Sequence, residues 1–196
     1  MNKFDEAIKL IDEKNSKDPH KEVYEGETYP KELLYSERMT KQLLEFEPEA
    51  SEELQIAARA QHICRWQTPR DEYPMTRVGY LHWRNDLKKK HAAITGEILE
   101  EVGYDQDFID RVSFLVQKKK IKKDEETQAL EDVICLVFLQ YYLSDFEAKL
   151  KDDNKDDKMV DIIRKTWAKM SPKGHEAALK LALPDKTAAL VTRALS

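Results

Sequence analysis

An all-α fold is what the sequence predicts, on three observations. Apolar residues recur at spacings of three and four through most of the 196 residues, capping residues stand at the heads of these runs, and no segment alternates convincingly as a strand would. A hydrophobic content of 41% is enough for a sizeable core at this length. The division expected is a helical domain over 1–150 with a small C-terminal helical appendix, 151–196, packed on the same domain.

In chain order, Phe4, Ile8 and Ile11 make a short amphipathic first helix, followed by a polar loop from Asn15 to Pro30. Pro30 suits the first position of a second helix that runs through Phe46 and is broken by Pro48. Ser51 caps a third helix, with Glu52 and Glu53 favourably placed against its dipole, predicted to continue to about Trp66. The segment from Gln67 to Val78, with Pro69 and Pro74, reads as a structured loop. A fourth helix covers Tyr80 to Val102, and Gly103 ends it in the left-handed position.

Asp105 can cap a fifth helix that closes in the lysines from Lys118 to Lys123. The next, Glu126 to Leu150, contains V-I-C-L-V-F-L, apolar on every side, and is expected at the centre of a bundle. K-D-D-N-K-D-D over 151–157 reads as a solvated linker, after which Met159, Ile162, Ile163 and Thr166 resume helical period. Ser171-Pro172 and Asp185 are start signals for two short final helices.

With 33 basic and 38 acidic residues and a net charge of −5, the chain has no general basic field for nucleic acid, so RNA is a possible partner but not the favoured one. The two cysteines lie in apolar stretches far apart and read as reduced packing residues, which points to the cytoplasm. No apolar run is long enough to span a bilayer, and no membrane partner is expected.

The chemistry concentrates in L-Q-I-A-A-R-A-Q-H-I-C-R-W, residues 54–66, where His62 is set among small and apolar residues. His91 falls within the apolar stripe of the fourth helix, and Glu131-Asp132 opens the most apolar helix of the chain. A carboxylate there needs a cation, a metal or an arginine. His62, His91 and Asp132 are a candidate metal-ligand set, with Glu131 to hold a water; the alternative is three separate core polar groups.

These blocks, in this order over Lys31 to Phe146, resemble the HD-domain superfamily of metal-dependent phosphohydrolases. L-Y-S-E-R-M resembles its first block, with Tyr35 where a ligand histidine would stand. A-A-R-A-Q-H-I resembles the second, with Gln61 and His62 in place of the His-Asp pair. H-A-A-I-T-G-E-I-L-E-E-V-G resembles the third through His91, and L-E-D-V-I-C-L the last through Asp132. The resemblance implies an HD-domain-like orthogonal helical bundle, a divalent metal ion and hydrolysis of a nucleotide or small phosphate ester. A closer resemblance, through A-R-A-Q-H-I-C-R-W, Y-P-M-x-R-x-G-Y-L-x-W-R and T-W-x-K-M-S-P-K-G-H-E-A-A-L, is to a family described only as a domain of unknown function, family 4202.

A small phosphorylated molecule would be held by Arg70, Arg77, Arg84 and Lys118, with Tyr73 available to stack a base and Arg65 beside the reacting group. The other function class is a non-catalytic helical module that binds such a ligand without cleaving it. The same residues also fit a salt-bridged surface. K-M-S-P at Lys169 resembles the signature loop of class I aminoacyl-tRNA synthetases, but the chain lacks their nucleotide-binding sheet, so a helix cap is expected. His82 and His175 are expected outside the site.

Overall fold

The computed structural model describes residues 2–149 and 155–196, and they are mostly helical. They divide into two compact units, Met1–Lys119 and Lys120–Ser196, with the division inside the lysine run. The boundary expected at 150–151 lies outside the described residues.

The first unit is built from α1 (Lys3–Asn15), the strands β1 (Lys21–Tyr24) and β2 (Glu27–Pro30), α2 (Lys31–Phe46), α3 (Glu52–Arg59), α4 (Arg77–Val102) and α5 (Gln106–Val116). Side chains cap most of these helices. Asn2, Ser51, Thr76 and Asp105 each accept from a backbone N–H in the first turn of the helix they head, and Gly103 ends α4 at φ 89°. Pro30 has no side chain to cap α2. Buried Asp18 does so instead, from fourteen residues upstream: one carboxylate oxygen accepts from Glu32 N–H at 3.0 Å, while the other takes His20 N–H at 2.9 Å.

The polar loop expected between Asn15 and Pro30 holds an antiparallel hairpin, with Tyr24 paired to Glu27 across a two-residue turn. Both turn residues, Glu25 and Gly26, have positive φ, the geometry that matches strand twist. Short strands with Val23 exposed give no alternation to read. Arg38 anchors the hairpin to α2, pairing with Glu22 at 2.6 Å and lying over the Tyr24 ring.

The third helix stops at Arg59, well short of Trp66. Arg59 is fixed there by a two-pronged ion pair with Asp12 and a bond to Thr40. The chain then turns through Ala60–Cys64, with Cys64 left-handed at φ 53°, and Asn15 Oδ1 accepts the Cys64 N–H at 3.1 Å. Asn15 thus replaces a bond that continuing the helix would have made. The segment to α4 consists of two short 3-10 turns, Arg65–Gln67 and Arg70–Glu72.

The second unit contains α6 (Glu125–Val137), α7 (Leu143–Lys149), α8 (Lys155–Trp167), α9 (Pro172–Ala178) and α10 (Asp185–Leu195). A π-helical stretch, Phe138–Tyr142, joins α6 to α7 where one unbroken helix was expected, and Leu150 lies outside the described residues. Leu130, Val133, Leu136 and Val137 of α6 are fully buried, each stabilising the unit by roughly 1.5–3 kcal/mol. Of the expected linker, Lys155 to Asp157 is the first turn of α8, and residues 151–154 are outside those described. Both cysteines are free and buried. Among the described residues no helix is long and apolar enough to cross a membrane.

Gly79 has a strict steric role at the start of α4. A Cβ there would lie 2.0 Å from the Pro74 carbonyl oxygen, a backbone atom that cannot swing aside. Gly79→Ala should lower the unfolding free energy by about 3 kcal/mol through forced overpacking. Chemical denaturation checks this, and a loss below about 0.5 kcal/mol, the scale of a surface substitution, would contradict it.

Candidate functional site

In the first unit α2, the turn after α3, and α4 bring together Glu32, Tyr35, His62 and His91. Asp18 fixes the start of α2, placing Glu32 in its first turn and Tyr35 one turn on. His62 lies flat on Tyr35, ring centroids 3.9 Å apart, with its Nδ1 3.2 Å from Glu32 Oε2. The His91 ring is 6.2 Å from that of His62 and tilted by 39°. His91 Nδ1 stands 2.7 Å from the Ile63 carbonyl oxygen, which can only accept, so Nδ1 carries the proton and Nε2 is left as a lone pair. His91 is 2% exposed and its Nε2 has no hydrogen-bond partner among the described residues.

The electrostatics favour neutral imidazoles. Burial, followed by the charges of Arg65, Arg84, Lys118 and Lys31, holds His62 well below its usual value. Burial and then His62 push His91 down to about 3. Burial drives the Glu32 carboxyl up, opposed first by Arg65 and then by Lys31. The site therefore has two neutral rings, one buried carboxyl and four nearby cations.

Within the first unit, some of the sequence-predicted residues meet and others do not. His62, His91 and Arg65 meet, with an Arg65 nitrogen 3.4 Å from both His62 ring nitrogens and its guanidinium over Trp83 at 5.1 Å. Arg84 and Lys118 act on His62 through their charge. Arg70 and Tyr73 instead build the preceding loop. Arg70 donates to the Tyr73 and Pro74 carbonyls at 2.9 Å and to Thr76 at 3.3 Å, and Tyr73 donates to Asp86 at 3.0 Å. Arg77 is exposed at the first position of α4.

Glu131 and Asp132 are buried on α6, in the second unit. Asp132 meets the expected need for a partner there, accepting from Ser171 N–H at 2.7 Å, Ser171 O–H at 2.5 Å and Gln128 at 3.2 Å. Ser171 caps α9 through Gly174 N–H, and a Cβ on Gly174 would lie 2.5 Å from Asp132 Oδ1. K-M-S-P is thus a helix cap, clamped by Asp132. His175 stacks on Trp167 in the same unit, and His82 is exposed.

Two contributors were not anticipated from sequence: Glu32, and Asp18, which accepts from its backbone N–H. Gln61 Oε1 is buried without a partner among the described residues. The available signal for Glu32 was its position three residues before Tyr35 on one helical face. Among the described residues, no group of three or more His, Cys, Asp and Glu side chains is placed to hold a metal ion. A groove of about 550 Å³ between α1 and α2 is lined by Asp5, Asp12, Glu13 and Glu37, unsuited to an anion.

The family model described as a domain of unknown function, DUF4202, matches residues 5–191, and the chain belongs to that family. No curated protein and no solved structure matches it.

The neutral histidines make stability depend on pH. Both bind a proton more weakly folded than unfolded, so their contribution is complete above about pH 6.5 and is lost as pH falls below it, for His91 through about 3. Glu32 acts in the opposite sense, its contribution fading as pH rises above 4.5. Urea unfolding at about pH 7.5 and about pH 5.5 should show the wild type weakening with acid, and His91→Gln should reduce that loss by about 1.4 kcal/mol over the whole interval, an average slope change of about 0.7 kcal/mol per pH unit. Equal slopes in the two proteins would contradict a neutral buried His91.

Proposed function

We propose that the first unit binds a small phosphorylated molecule, a nucleotide or another phosphate ester, at the His62 site. The observation that carries this reading is the set of four cations, Arg65, Arg84, Lys118 and Lys31, acting on a neutral imidazole that is itself partly open to solvent. A neutral ring sets no charge of its own against these positive groups, and their field attracts an anion to it. Arginine forks suit phosphate oxygens in particular. Tyr35, stacked beneath His62, fixes the ring on which such a group would rest.

A divergent HD-type metal-dependent phosphohydrolase on an HD-domain-like bundle is the second reading. The close approach of His62 and His91 on separate elements, with an unshared Nε2 lone pair, favours it. The expected third ligand does not fit: the Asp132 carboxylate already accepts three hydrogen bonds in the second unit.

The arginines divide into two sets with opposite expectations. Arg65→Gln and Arg84→Gln should each weaken binding of a phosphorylated ligand by about 1.5–3 kcal/mol, the scale of a charge-assisted hydrogen bond, with little change in fold stability. Arg70→Gln, which removes three bonds to loop carbonyls, should lower the melting temperature and leave affinity alone. Thermal melts with and without nucleotides and sugar phosphates check both. Failure of every phosphorylated compound to shift the wild-type melt would overturn the phosphate reading.

A further inference from the structure

Two buried acceptors of the first unit, one on His91 and one on the residue before His62, have nothing donating to them among the described residues. His91 donates through Nδ1 to Ile63, so its Nε2 can only accept, and it has no partner among the described residues. Gln61 Oε1, on the residue preceding His62, is buried and equally without a partner among them. The charges that act on His91 are those of His62, Arg65 and Glu32, so its lone pair belongs to the cluster already described. Buried acceptors in this condition call for a donor from outside the chain.

A phosphate dianion cannot be that donor. Above its second ionisation, near pH 6, a phosphate monoester group presents only acceptors, which suit the arginines and lysines and do nothing for Nε2 or Oε1. An ammonium group could donate, but Arg65, Arg84, Lys118 and Lys31 repel it. A neutral alcohol hydroxyl donates without charge and meets both conditions. Resting on the reading of this site as a phosphate-ester site, we infer that its ligand carries free hydroxyl groups on the alcohol part, one donating to His91 Nε2 and another to Gln61 Oε1. Sugar phosphates and ribonucleotides share this chemistry, whereas simple alkyl phosphates lack it.

Titration calorimetry at about pH 8, where the phosphate group has no proton to donate, tests this with ribose 5-phosphate, uridine monophosphate and methyl phosphate. The experiment is run with the full chain, with and without a metal chelator. At least one of the two hydroxylated esters should bind roughly tenfold or more tightly than methyl phosphate, as expected when a buried acceptor gains its donor. Which of the two does so separates a sugar phosphate from a nucleotide. The preference should persist in chelator, and it should shrink toward one in His91→Phe. Because that variant also loses the bond to Ile63, Gln61→Met supplies a second test that leaves this bond in place, and it should reduce the preference too. Equal affinity for all three compounds would overturn the inference while the phosphate reading stands. Binding of none would overturn both. A preference abolished by chelator would assign Nε2 to a metal ion and overturn the hydroxyl inference.

Discussion

The hydrogen bond from His91 Nδ1 to the Ile63 carbonyl is the contact on which the rest of the site depends. It supplies a donor to a carbonyl that the end of α3 leaves outside helical bonding, as Asn15 supplies an acceptor for the Cys64 N–H one residue on. Together they hold an irregular turn in a buried position, where unpaired backbone groups would be costly. The same bond settles which His91 nitrogen carries the proton, and so gives the buried Nε2 its character as an acceptor.

From that turn the electrostatics follow. His62, the residue before Ile63, is held against Tyr35 on one element and within reach of Glu32 in the turn before it. Burial keeps both imidazoles uncharged, so they add no positive charge to that of the surrounding arginines and lysines. The two groups of arginines differ for a geometric reason. Arg70 faces carbonyl oxygens that converge at the head of α4, whereas Arg65 and Arg84 direct their charge toward His62.

Much of the helical plan was legible because periodicity and capping agree: Ser51, Asp105, Ser171 and Gly103 all act at the helix ends their sequence positions suggest. The pairing of His62 with His91 was legible in part, since both lie among apolar residues in the sequence. What escaped depends on contacts distant in sequence. Nothing local says that Asn15 will take the Cys64 N–H, so α3 reads as continuing to Trp66. Nothing local says that Asp18 will cap α2, so Glu32 does not stand out in the sequence. Asp132 announced a need for a partner by its place before an apolar run, but the partner seen, Ser171, lies thirty-nine residues later, at the head of another helix. The hairpin was hidden because its strands are only four residues long and the apolar Val23 sits on the exposed face.

Nitrogen NMR of the histidine side chains, recorded across pH on the full chain, tests the central claim most directly because it reports protonation and tautomer for each ring nitrogen. The expected result for His91 is a protonated Nδ1 and an unprotonated Nε2 at neutral pH, with no titration until well below the ordinary histidine range. A proton on Nε2, or titration of His91 near pH 6.5, would contradict the claim that His91 is a neutral buried acceptor.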